Sequence, residues 1–184
     1  MPTPAGSGKP VVLVIMGVSG SGKTTVGQIL ATTLGWRFIE GDSLHPQSNI
    51  EKMTHRIPLT DEDRKPWLVK VGSWVRQQIA VGECGVITCS ALKRSYRALI
   101  AAKYGSSLKF VFLDVSRKEA AARLAGRRNH FMPSSLLDSQ FVDLETPTLD
   151  EPAIRVDAKA SPKAIASRIL KQLGLRDRDA AVRL

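Results

Sequence analysis

The chain has 184 residues, 43% of them hydrophobic and 24% charged, which suits one folded domain and excludes disordered or fibrous classes. No apolar run approaches the roughly 20 residues of a membrane-spanning helix. Cys84 and Cys89 have no further cysteines or clustered histidines beside them, so neither a disulfide framework nor a zinc site is expected and a reducing cytoplasm is. The formal charge of +10 admits a nucleic-acid partner, but the basic residues are spread along the chain and aromatics are only 5%, so none is expected, and no membrane.

Residues 1–10 are small and polar and read as a flexible lead-in to a single domain over 11–175. Residues 11–16 form a short, β-branched apolar run, the first expected strand. Residues 24–34 have helical character, and Gly35 stands where a C-terminal cap is expected. Residues 37–40 are a weaker strand candidate. A helix over 67–81, a strand over 86–89 and a helix over 93–104 follow. Next come a strand over 110–113, a helix over 116–127 and a weaker strand over 154–156. A helix over 162–173 is introduced by Ser161-Pro162 and closed by Gly174, and the charged stretch 176–184 reads as a fraying tail. Strands alternating with helices of this length predict βαβ units and a parallel sheet covered on both faces.

Directly after the first strand stands Gly17-Val18-Ser19-Gly20-Ser21-Gly22-Lys23-Thr24, a complete Walker A pattern that opens a helix-compatible segment. Glycines at 17, 20 and 22 let the backbone turn its N–H groups onto phosphate oxygens, and the following helix adds the partial positive charge of its N-terminus. ATP with Mg²⁺ is the expected ligand. Lys23 is expected on the β- and γ-phosphates, the Thr24 hydroxyl on the metal, and Thr25 beside them. A ligand-free glycine-rich turn is the plain alternative, and it gives no reason for Lys-Thr at this point.

Asp42 falls at the carboxyl end of the second strand, where ligands gather in open α/β sheets. Two chemical roles suit it: accepting the proton of an acceptor hydroxyl, or holding a Mg²⁺-bound water. A turn-capping Asp is the bland alternative. The third strand ends in Ser90 rather than in the acid of a Walker B strand, which strengthens Asp42.

Four further stretches carry a resemblance. They are Gly41-Asp42-Ser43-Leu44-His45-Pro46 with Asn49-Ile50-Glu51-Lys52-Met53, Pro58-Leu59-Thr60-Asp61-Glu62-Asp63-Arg64-Lys65-Pro66-Trp67-Leu68, Cys89-Ser90-Ala91-Leu92-Lys93-Arg94-Ser95-Tyr96-Arg97, and His130-Phe131 with Ser139-Gln140-Phe141 and Leu144-Glu145. Together they resemble the gluconokinase family. The resemblance implies a P-loop NTPase of the nucleoside-monophosphate-kinase type, a three-layer α/β/α fold with a five-stranded parallel sheet of order 2-3-1-4-5. It also implies a lid over about residues 123–138, a homodimer, and ATP-dependent phosphorylation of D-gluconate to 6-phospho-D-gluconate.

Gluconate is a polyhydroxylated carboxylate, so its pocket needs a cation and several hydrogen-bonding groups. His45, Lys52, Arg64, Ser90, Lys93 and Arg97 supply that chemistry, with Asp42 at the reacting hydroxyl. Arg64 suits a bidentate grip on the carboxylate, although Asp61-Glu62-Asp63-Arg64 before Pro66 also reads as an ordinary helix start. Trp67 reads as core or pocket wall. Arg123, Arg127 and Arg128 are expected on the phosphates, Arg127 as a catalytic cation with Lys23, and a basic helical face is the bland reading of Arg123.

Two residues depart from the family pattern. Arg56 stands where a glycine usually precedes the Pro-Leu pair, and Asn129 replaces a lid glycine. The competing readings are a related small-molecule kinase such as a shikimate kinase, a non-catalytic ATP-binding regulator, and a nucleic-acid-associated ATPase.

Overall fold

Val12–Met16, strand β1, has no accessible surface at any of its five residues, which places it at the centre of the sheet. The computed structural model describes residues 9–101, 105–126 and 134–175. Strands β2 (Arg37–Glu40), β3 (Gly85–Thr88), β4 (Leu108–Asp114) and β5 (Ala153–Asp157) join β1 in the order β2-β3-β1-β4-β5. Every pairing is parallel, as the alternation of strands and helices predicted.

The pleat sends successive side chains to opposite faces. Leu13 and Ile15 join Val86, Val111, Leu113 and Val156 under α1 (Lys23–Leu34), α5 (Arg117–Ala125) and α7 (Pro162–Leu173). Val12, Val14 and Met16 join Ile87, Phe110 and Phe112 under α3 (Asp61–Ala80) and α4 (Arg94–Ala101). The result is a three-layer α/β/α sandwich. Each large side chain buried this way contributes about 1.5–3 kcal/mol.

Local signals place several helix ends as expected. Gly35 and Gly174 close α1 and α7 in the left-handed conformation, at φ 66° and 65°. The Ser161 hydroxyl accepts from Ala164 N, with Pro162 in the first turn of α7.

Three helices differ from expectation. α3 begins at Asp61 rather than at 67, the helix start that Asp61-Glu62-Asp63-Arg64 also offered, because the Thr60 hydroxyl accepts from Asp63 N while the Asp63 carboxylate accepts from Thr60 N. This reciprocal cap outweighs Pro66, which removes one internal hydrogen bond. α2 (Gln47–Thr54) was not expected; it buries only Asn49, so it carries no apolar period to read. α6 (Ser134–Asp143) was not expected either, because Ser139, Gln140 and Asp143 interrupt its apolar pattern, and among its described side chains only Leu137 is buried. Arg127, Arg128 and Asn129 lie outside the described residues. Among the described residues, no helix is long and apolar enough to cross a membrane.

Candidate active site

The loop between β1 and α1 has the backbone that the Walker A pattern requires, with Gly17, Gly20 and Gly22 all at positive φ. A Cβ on Gly20 would lie 2.6 Å from the Ala120 carbonyl oxygen, so only glycine lets α5 approach the loop this closely. Gly17 N donates to Ser90 O at 3.2 Å, which ties the loop to the end of β3. Lys23 Nζ donates to Val18 O at 3.0 Å, and the buried Ser21 hydroxyl has no hydrogen-bond partner. Thr24 and Thr25 stand exposed in the first turn of α1. The Arg123 guanidinium donates to the carbonyls of Gly20, Ser21 and Ala158, joining the loop to the turn after β5.

Asp42 owes its place to its neighbour. A Cβ on Gly41 would fall 1.9 Å from Thr88 O, so the chain leaving β2 passes the end of β3 only as glycine. Trp67 Nε1 donates to Gly41 O at 2.8 Å and fixes this crossing from the α3 side. His45 stacks on the Trp67 ring with centroids 4.1 Å apart. Asn49 Nδ2, which can only donate, lies 3.2 Å from His45 Nδ1 and also donates to Asp63 O. Nδ1 therefore accepts, and the ring is the neutral Nε2–H tautomer. Burial agrees with this, lowering the imidazole pKa below its usual 6.5 against the opposing pull of Asp42.

Glu40, not among the expected site residues, adjoins the Gly41–Asp42 turn without lining the cavity described below. Its Oε1 accepts from the Thr88 hydroxyl, which itself accepts from Gly41 N, while its Oε2 is buried without a partner. The available signal was an acid at the carboxyl end of the second strand, two residues before Asp42.

A cavity of about 390 Å³ opens between these elements. It brings together Ser19, Lys23, Asp42, His45, Arg64 and Ser90 from the expected set, and Trp67 forms a wall. Arg56 also lines it, at φ 60°, a left-handed conformation that explains why glycine suits this position. From α6 come Leu136, Ser139 and Gln140, none of them expected in the site.

Arg64 Nη1 donates to the Tyr96 hydroxyl at 3.0 Å and to Asp143 Oδ2 at 3.2 Å. Burial works against its charge, but Tyr96 and Asp143 outweigh burial and raise its pKa.

Three expected substrate residues do not line the cavity, and each has a carboxylate partner elsewhere. Lys52 pairs with Asp63 at 2.7 Å, and this hydrogen bond, with that from Thr60 N, holds the Asp63 pKa at about 2. Lys93 lies 2.8 Å from Asp61 and 3.5 Å from Asp143, and the bond to Asp61 raises its pKa. Arg97 is 1% exposed, bound through Nε and Nη2 to Glu151 and through Nη1 to the carbonyls of Ala91 and Leu92. It braces the loop that presents Ser90.

This geometry sets a phosphate cradle beside a polar cavity that holds a carboxylate, Asp42, and a fork-shaped cation, Arg64. Such an arrangement suits phosphoryl transfer to a hydroxyl of a small anion. Comparison with known proteins points the same way. The shikimate kinase family model matches residues 19–174. A gluconokinase from Gluconobacter oxydans (strain 621H) is 50% identical over 169 residues, 92% of this chain and 94% of that protein. A thermosensitive gluconokinase from Escherichia coli (strain K12) is 46% identical over 145 residues, 78% of this chain and 77% of that one. The crystal structure of a gluconokinase from Sinorhizobium meliloti 1021 superposes with a TM-score of 0.81 at 45% identity, covering 90% of this chain and 93% of that one.

Proposed function

The chain belongs to the gluconokinases, among the P-loop kinases that the shikimate kinase family model also matches, and from that premise we propose how its residues divide the work. It is a kinase that phosphorylates gluconate. The observation that carries the assignment of roles is the cavity itself, which joins Lys23 and Asp42 to Arg64 in one space.

The backbone N–H groups of residues 17–24 and the Lys23 ammonium hold the β- and γ-phosphates of ATP. Arg127 and Arg128, outside the described residues, are the further cations assigned to the nucleotide, and Arg123 acts through the loop carbonyls of Gly20 and Ser21 that it holds. Arg64 takes the gluconate carboxylate, exchanging one carboxylate partner, Asp143, for another. His45 offers its Nε2–H, and Ser90 its hydroxyl, to acceptor hydroxyls. The primary hydroxyl at C6 then lies toward Asp42, which takes its proton as the oxygen bonds to the γ-phosphorus and the bond to the bridging β–γ oxygen breaks.

Mg²⁺ fits the residues present. Thr24 offers a hydroxyl and Asp42 a carboxylate, and the partnerless Glu40 Oε2 is a buried hard donor at the same edge of the sheet. When bound, the ion neutralises charge on the transferring phosphoryl group. The same reading makes the enzyme a cytoplasmic homodimer that engages neither nucleic acid nor membrane.

An acceptor screen by ADP release tests the reading, with gluconate, shikimate and single-stranded RNA added separately. Turnover is expected with gluconate alone, and turnover only with shikimate would overturn it. Asp42→Asn should lower kcat by at least about tenfold, within the range of general acid–base catalysis, and leave ATP affinity by calorimetry unchanged. A smaller drop would remove Asp42 from proton transfer.

A further inference from the structure

α6 turns one helical face toward the site. Leu136, Ser139, Gln140 and Asp143 follow the spacing i, i+3, i+4, i+7, the first three lining the cavity and the last bound to Arg64. Gln140 is the point where this face meets the phosphate loop. Its Oε1 accepts from Ser19 N at 2.7 Å and its Nε2 donates to Ser19 Oγ at 3.1 Å. One carboxamide thus binds both the backbone and the side chain of a residue in the middle of the Walker A loop.

We propose that Gln140 is the positioning residue that fixes the phosphate loop against the acceptor cavity; this rests on the gluconokinase reading above. The chemistry of the carboxamide suits the role. A primary amide has two N–H donors and two acceptor lone pairs, and Ser19 engages one of each. One N–H and one lone pair remain beyond the two that Ser19 engages. A neutral group is also required at this place. A carboxylate here would accept equally well from Ser19 N, but it would repel the phosphates that the neighbouring N–H groups hold. Gln140 thereby sets the distance between the donor phosphoryl group and the hydroxyl end of the acceptor, to which transfer rates are steeply sensitive.

Steady-state kinetics and amide hydrogen exchange of the full chain test this together. Gln140→Ala should lower kcat with gluconate by about tenfold to a hundredfold, as a shift of reacting groups by about an ångström does, while ATP affinity changes little. Exchange at the Ser19 amide should quicken in the same variant. Gln140→Glu should keep the Ser19 amide protected yet weaken ATP binding, a split that a residue with only a packing role does not produce. In a double-mutant cycle with Ser19→Ala, the two losses should be strongly non-additive.

A kcat within about threefold of wild type in Gln140→Ala, far short of a misplacement effect, would overturn the proposal, as would fully additive losses. If wild type itself fails to turn over gluconate, the functional reading fails and takes this proposal with it. Wild-type turnover with an unaffected Gln140→Ala sinks the proposal alone.

Discussion

The Asp143 carboxylate accepts from the Arg64 guanidinium at 3.2 Å, so the cation assigned to the acceptor carboxylate already holds an anion supplied by α6. Lys93 lies 3.5 Å from the same Asp143, and Asp61 draws on both cations. On the proposed role of Arg64, substrate binding there would be an exchange of carboxylates rather than the capture of an unpaired charge.

Removing the internal competitor should help the substrate. A partly exposed ion pair is worth up to about 1 kcal/mol, so Asp143→Asn should lower the gluconate KM by about threefold to fivefold, with kcat and ATP affinity unchanged. Initial-rate kinetics over a range of gluconate concentrations measure it. A raised KM would mean that Asp143 orients Arg64 instead of competing with substrate.

Arg64→Lys keeps the charge but loses the planar fork that matches two carboxylate oxygens. A charge-assisted hydrogen bond of roughly 1.5–3 kcal/mol corresponds to a loss on the order of tenfold to a hundredfold in kcat/KM for gluconate. ATP should bind as before, and residual turnover of the neutral alcohol glucitol should be the same in variant and wild type. An unchanged gluconate KM would move the anchoring role to another cavity cation, Arg56 being the nearest in kind.

Arg56 holds a left-handed backbone at φ 60°, which costs a residue bearing a Cβ about 1–2 kcal/mol. Glycine relieves this but loses about 0.5–1 kcal/mol of its own through greater freedom in the unfolded chain. Arg56→Gly should therefore be more stable by about 0.5–1 kcal/mol, a rise of roughly 1–4 °C in Tm for a chain of this size. Arg56→Lys, with the same backbone demand, should show no gain in thermal unfolding. The gluconate KM should rise in the glycine variant and stay near wild type in the lysine one, since Arg56 is a cation on the wall of a cavity for an anion.

His45 links stability to pH. Its folded pKa lies below 6.5, so between the two values the unfolded chain binds more protons than the folded one, and stability falls as pH falls. His45→Phe retains a ring to stack on Trp67 but cannot titrate. Urea unfolding at a series of pH values from 7.5 to 5.5, a window chosen about the usual imidazole pKa, should show wild type losing stability relative to the variant toward the acid end. A difference that stays flat across this range would mean that His45 binds its proton equally well in the folded and the unfolded chain, and a wild type that gains stability toward acid would mean that it carries its proton in the folded state.

Much of this protein is legible residue by residue. Gly17 to Thr24 announced a phosphate cradle, because such a loop is built from local backbone freedom and a helix N-terminus, both written in consecutive residues. The central strand could be read for the same reason, since Val12–Met16 is apolar on both faces. Arg56 could be marked as out of place, and its φ of 60° supplies the physical reason.

The partners of charged side chains were not legible. Lys52, Arg64, Lys93 and Arg97 look alike in the chain as cations near family motifs, yet only Arg64 lines the cavity. Arg97 meets Glu151 across 54 residues, and Gln140 meets Ser19 across 121. α6 carries too little apolar periodicity to be seen as a helix, so the face it turns to the cavity could not be read either. Sequence alone determined the phosphate loop, the strand alternation and the caps at Gly35, Ser161 and Gly174, because each depends on contacts within a few residues along the chain. Only the tertiary structure decided which cations line the cavity and which carboxylates hold them, because a charge takes whichever counter-ion the packed layers bring within hydrogen-bond reach.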